Sequence, residues 1–231
     1  MSIIEELLEK HHEKFIQSIT HPLTNELCKG TLADYRLFTY LTQDLKFFQI
    51  GLNLFGKVLA YCDDSKAAIT LGKQIGFISN DENDYFFKCL EQLKDESLHE
   101  LQNKVSQMLL EQPITLPEVQ KYNELLTELT YESKSYVELI TYMYTMEKVY
   151  LGWADYSIDN KLIPANITYK HKEWIRLHSG DDFSNWVAFL KSEVDRVVKS
   201  PEDREISERV FVRALDHEIA FFNACYNYDE Q

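Results

Sequence analysis

The chain has 231 residues, 45% hydrophobic and 13% aromatic, with only 7 Gly and 5 Pro, which excludes a disordered, collagenous or low-complexity polypeptide. Lys and Arg total 24 against 38 Asp and Glu, a formal charge of −14 that repels phosphate backbones and anionic headgroups and so argues against nucleic acid or membrane as partner. A neutral or cationic small molecule suits that charge, and acids in the opening MSIIEELLEK, with no apolar run near the ~18 residues of a membrane span, make the cytoplasm the expected location.

Taken in chain order, the sequence shows helical period almost throughout and no sustained strand-like alternation. A first helix is expected over 2–18, with Ile4, Leu8, Phe15 and Ile19 on one face, broken by Thr20-His21-Pro22. Thr31, with Asp34 closing a T-x-x-D box, is the expected N-cap of a long helix reaching Tyr61 and bent near Gly51 and Gly56. Another helix follows Asp63-Asp64 and fades near Ser79-Asn80-Asp81. The period returns from Glu82 to Leu110, and the stretch from Gln112-Pro113 to Pro117 ends it. Helices resume at Glu118 and Ser135. A loop at 160–164 precedes a short helix through Trp174, and Ser179 with Asp182 offers a capping box for the next. Pro201 stands at the first position of a last helix reaching Tyr226. With no repeat and no Gly/Ser linker, residues 1–231 are expected to form one all-α domain.

Cys28, Cys62, Cys89 and Cys225 are far apart and form no C-x-x-C pair, so they read as free, mostly buried thiols. Glu9/His12 and Glu96/His99 have the E-x-x-H spacing of di-iron bundles. However, Leu98, Leu101, Val105 and Met108 define an apolar face that turns Glu96 and His99 to solvent, and both pairs are better read as solvated side chains. No metal and no cofactor are expected.

Three carboxylates carry more information. Leu37, Leu41, Asp44, Phe48 and Leu52 follow steps of three and four residues, so Asp44 lies on the apolar seam of its helix. Tyr136, Ile140, Met143, Glu147, Tyr150 and Ala154 place Glu147 on a second seam, and Phe211, Leu215, Glu218, Phe222 and Cys225 place Glu218 on a third. An unpartnered buried carboxylate costs several kcal/mol. Any one of them alone is better read as part of a structural network, but three on separate helices favour a shared polar cavity. Phe47, Tyr122, Tyr144, Tyr150, Phe221 and Phe222 are candidate ring walls, and such a cavity suits a flat, protonatable heterocycle.

At this level the chain resembles a known family. His21-Pro22-Leu23, Gly30-Thr31-Leu32, Gln43-Asp44 before Phe47-Phe48, Pro117 followed by Tyr122, Trp174 followed by His178-Ser-Gly-Asp-Asp-Phe183, and the stretch from Phe211 through Glu218 to Phe222 are similar, in order and spacing, to the TenA (thiaminase II) proteins of thiamine salvage. The resemblance implies a helical bundle of the haem-oxygenase-like kind, a homotetramer, and a pocket for a 4-amino-2-methylpyrimidine. It also implies Asp44 as the reader of the amino group and ring nitrogen, Phe47 and Tyr122 as pocket walls, and Glu218 as catalytic acid/base; Tyr150, Phe222 and His178 are expected as further substrate-binding residues.

One departure changes the expected chemistry. Where cysteine-type members have Pro-Cys four residues before a tyrosine, this chain has Thr145-Met146 followed by Tyr150, and a thioether cannot become a thiolate. The run Met146-Glu147-Lys148-Val149-Tyr150 resembles the glutamate-type subgroup instead, and His178 stands where many cysteine-type relatives have Tyr. The implied reaction is hydrolysis of aminomethyl or formylaminomethyl pyrimidines to the hydroxymethyl pyrimidine, with Glu218 as proton donor and Glu147 as water-activating base, or the two exchanged. The rival is a pyrimidine-binding or regulatory protein that keeps the pocket without turnover.

Overall fold

The computed structural model describes residues 2–105, 110–111 and 114–228. Ser2 and Glu5 cap α1 (Ile3–Lys10) reciprocally, and His11, at φ −109° and ψ 27°, separates it from α2 (His12–Ile19). The expected single helix over 2–18 is therefore two, because at His11 the backbone leaves the helical region although the apolar period continues. The His21 ring accepts the Leu23 N–H at the start of α3 (Pro22–Lys29), with Pro22 in the first turn. Gly30 ends α3 at φ +67°, a left-handed conformation that L side chains disfavour.

The long α4 (Asp34–Tyr61) begins one residue after Ala33 with no side-chain cap. The expected Thr31 cap does not form, since its hydroxyl turns back to the Glu26 carbonyl. α4 passes through Gly51 and Gly56 as one helix. Asp64 caps α5 (Ser65–Phe77) by accepting two backbone N–H groups. The chain does not then break at Ser79–Asp81. It widens into a π turn over Ile78–Glu82 and runs directly into α6 (Asn83–Lys104).

Ser97, at φ −128°, kinks α6 and turns Leu98 outward to 49% exposure, whereas Leu101 and Val105 are buried. Leu98 thus leaves the expected apolar face. Met108 and the Gln112-Pro113 break lie outside the described residues. The remaining helices are α7 (Pro117–Tyr131), α8 (Tyr136–Asp159), α9 (Tyr169–Leu177), α10 (Gly180–Val197) and α11 (Pro201–Tyr226). Ser179 starts α10 without a side-chain cap, because its hydroxyl donates to the Ile175 carbonyl instead of forming the expected box with Asp182. Ser200 and Asp203 form a capping box at the start of α11.

α8 is the central element, packed between α10 and α11, with α2 across it where Gly152 lets Ile19 approach. It is apolar nearly all round, as a helix enclosed by others must be. α4 packs on α6, α7 and α11, so α4, α8 and α11 converge on one interior. The architecture is all-α, and no described helix is long and apolar enough to cross a membrane.

Candidate active site

The seam positions bring the three acids inside. Asp44 on α4, Glu147 on α8 and Glu218 on α11 are 4%, 7% and 1% exposed. Hydroxyls serve two of them. Tyr150 donates to Asp44 Oδ1 at 3.2 Å, Tyr40 donates to the Tyr150 oxygen at 3.4 Å, and the Trp174 indole N–H donates to the Tyr40 oxygen at 3.1 Å. This relay runs from α9 through α4 and α8 to a single carboxyl. Tyr122 on α7 donates to Glu218 Oε1 at 2.7 Å.

Asp44 and Glu147 face a cavity walled by Phe47, Phe48, Met146 and Tyr150. Two further polar side chains line it, Glu82 and His178. Glu82 has no counterpart among the sequence-derived site residues. It closes the π turn, a widened turn often found at functional sites, and the polar run Asn80-Asp81-Glu82-Asn83 carries no periodic signal that it points inward. Met146 lies in the wall, and among the described residues no cysteine lines the cavity.

Enclosure controls the protonation of these groups. Burial pushes Asp44 up to about 7, the Tyr150 hydrogen bond opposing the rise. Burial also pushes Glu147 up to about 7; the Trp186 indole N–H beside it eases the shift without completing a hydrogen bond. Glu218 rises to about 8 through burial, which the charges of Asp44 and Glu147 reinforce against the Tyr122 hydrogen bond. Glu82 is raised by burial and by repulsion from Glu147 and Asp44. His178 moves the other way, to about 4, because burial disfavours its charged form. Its Nδ1 lies 2.9 Å from the Trp174 carbonyl, which can only accept, so Nδ1 carries the proton and Nε2 keeps a free lone pair.

Among the sequence-derived residues, Asp44, Phe47, Glu147, Tyr150 and His178 line the cavity, whereas Glu218, Tyr122 and Phe222 stand outside its lining. Tyr122 packs on Phe47 with ring centroids 4.6 Å apart, Phe222 lies 6.3 Å from Tyr150, and Phe221 lies 6.2 Å from Phe47. Tyr144 does not join them. It is buried on another side of α8, where its charged neighbours are Asp195 and Glu5. Among the described residues no three His, Cys, Asp or Glu side chains gather as a metal site, Glu9, His12, Glu96 and His99 are exposed, and the four cysteines are free.

The TENA/THI-4/PQQC family model matches residues 8–228. Similar solved structures include a TenA homologue from Pyrococcus furiosus, 18% identical with a TM-score of 0.74 over 97% of this chain and 100% of that one. A TenA homologue from P. horikoshii OT3 is 19% identical with a TM-score of 0.77, covering 98% and 99% of the two chains. A TenA family transcription regulator from Silicibacter sp. TM1040 is 14% identical with a TM-score of 0.74, covering 97% and 96%. At these identities the likeness is one of fold. No curated protein matches the sequence.

Proposed function

Because the chain belongs to the TENA/THI-4/PQQC family, we propose that it is an aminopyrimidine hydrolase of thiamine salvage, similar to the glutamate-type TenA proteins. The observation that carries this reading is the pairing, in one ring-walled cavity, of Asp44 steadied by Tyr150 with Glu147 poised near neutrality, while the wall position expected for a nucleophilic thiol holds Met146.

In this reading the pyrimidine ring lies between the aromatic walls, with its amino group and ring nitrogen on Asp44, whose mixed protonation lets it both accept and donate. The bond that breaks joins the exocyclic methylene carbon to its amine or formamide nitrogen. A water oxygen forms the new bond to that carbon, and Glu147 takes the water's proton. Glu218, which stands outside the cavity lining but is raised to about 8 against about 7 for Glu147, is assigned from the family resemblance as the proton source for the departing nitrogen. The products are the hydroxymethyl pyrimidine and ammonia or formamide. No metal or cofactor enters this scheme; a homotetramer is proposed from the family likeness, and a cytoplasmic location from the charge and hydropathy of the sequence.

A product assay on the aminomethyl and formylaminomethyl pyrimidines, run beside thiamine, tests the proposal. Hydroxymethyl pyrimidine should form from the first two much faster than from thiamine. Tight pyrimidine binding with no product at any pH would replace the hydrolase with a binding protein.

A further inference from the structure

The cavity contains more acid than the proposed reaction uses and no base to balance it. Asp44, Glu82 and Glu147 line it, and among the described residues no Lys or Arg does. Glu82 reaches it from the π turn, and His178 from the end of α9. The His178 side chain is only 5% exposed, and among the described residues its Nε2 makes no hydrogen bond, with Glu82 Oε1 3.8 Å away. That separation is too long for a hydrogen bond between them. With His178 neutral and its proton on Nδ1, the contact is also not an ion pair. The Glu82 carboxyl, whose proton is retained through burial and the charges of Glu147 and Asp44, and the His178 Nε2 lone pair therefore face one point, and among the described residues no Lys or Arg lines the space around them.

We infer that Glu82 and His178 form a subsite for the departing nitrogen, recognising an N–H-bearing, preferably cationic, substituent on the pyrimidine's exocyclic carbon. This inference rests on the aminopyrimidine reading and adds to it the residues that choose the leaving group. With Glu82 ionised, its Oε1 and His178 Nε2, 3.8 Å apart, can share the N–H bonds of one nitrogen at roughly 2.9 Å each. An ammonium supplies the positive charge that the acid-lined cavity lacks and so favours the ionised form of Glu82 that burial and the neighbouring acids otherwise disfavour; its hydrogen bond to that carboxylate is then charge-assisted. His178 Nε2, as an acceptor only, selects for N–H in a way that a donor at the same place would not.

The subsite also has a consistent place along the wall. From Asp44 the sequence of contacts runs to Tyr150 by hydrogen bond, from the Tyr150 ring to the His178 ring at 4.9 Å, and from His178 to Glu82. A ring held at Asp44 thus directs a substituent along Tyr150 towards the pair.

The test is calorimetric binding of two probes to the intact protein: 4-amino-5-aminomethyl-2-methylpyrimidine and 4-amino-2,5-dimethylpyrimidine, which keeps the ring and lacks the nitrogen. The wild type should prefer the aminomethyl probe by about tenfold or more, and Glu82→Gln and His178→Phe should each reduce that preference by roughly ten- to a hundredfold. Affinity for the dimethyl probe should stay within about threefold of wild type in both, a pattern that general damage to the fold would not produce. Glu82→Gln is nearly isosteric, so it decides the matter alone if His178→Phe does not fold. An unchanged preference in a folded Glu82→Gln protein overturns the subsite and leaves the hydrolase reading standing. Failure of the wild type to bind either probe overturns both.

Discussion

Tyr150 on α8 and Asp44 on α4, 106 residues apart in the chain, are joined by one hydrogen bond of 3.2 Å from phenol to carboxyl. The bond opposes the pull of burial on Asp44 and holds its carboxyl near the midpoint of titration at about 7. Tyr40 and Trp174 orient the phenol in turn. Asp44→Asn should therefore weaken pyrimidine binding by about 1.5 to 3 kcal/mol, the usual effect of losing a charge-assisted hydrogen bond, while the fold survives. Calorimetry showing unchanged affinity would remove Asp44 from the site.

Catalysis should depend on the two other seam acids. Glu218→Gln and Glu147→Gln are each expected to lower turnover by roughly two to four orders of magnitude with a smaller loss of affinity, as when a general acid or base is removed. Comparing kcat with KM for the aminomethyl pyrimidine checks this. A loss confined to KM would mean that the glutamates only bind.

Met146→Cys should not create efficient cleavage of thiamine. The cavity around position 146 is lined by acids that raise, and do not lower, the pKa of a thiol, so little thiolate would form at neutral pH. Thiamine turnover approaching that of the aminomethyl pyrimidine in this variant would refute the argument.

Stability should fall as pH rises from 6.5 to 8. Asp44, Glu147 and Glu218 hold their protons to about 7, 7 and 8 in the folded chain, whereas unfolded carboxyls release theirs near 4, so the folded state binds more protons across this interval. The stabilising contribution is complete below about pH 4 and is lost as pH passes through the folded values. His178 and His171, lowered to about 4, act in the opposite direction, but only below their ordinary 6.5. A Tm lower at pH 8 than at pH 6.5 is expected, with a smaller difference in the triple variant Asp44→Asn, Glu147→Gln, Glu218→Gln. An equal drop in both proteins would assign the effect to other groups.

Gly152→Ala should destabilise the protein although alanine favours helix by about 1 kcal/mol. A Cβ at 152 would lie 2.6 Å from Ile19 Cγ2 and 3.3 Å from the Phe15 ring. A β-branched methyl cannot turn aside without leaving its rotamer, and overpacking of this kind costs about 1 to 3 kcal/mol. Chemical denaturation should show a net loss of roughly 1 kcal/mol, and a gain in stability would show that α2 moves freely against α8.

The all-α class and the inward placement of Asp44, Glu147 and Glu218 were legible in the sequence because a 3.6-residue period maps directly onto one face of a helix, whatever that face later meets. The start of the last helix at Pro201 was legible for the same local reason. Caps were less so: the Thr31 and Ser179 hydroxyls each chose a carbonyl behind them over an N–H ahead, a competition between nearly equal local bonds. Tertiary structure alone decided which buried groups meet. α8 is enclosed on several sides, so periodicity could not tell that Tyr144 faces Asp195 and Glu5 while Tyr150 faces Asp44. Glu82 was invisible for a further reason: the π turn shifts the register between α5 and α6, and a residue carried inward by a change of period leaves no trace in a pattern read at constant period.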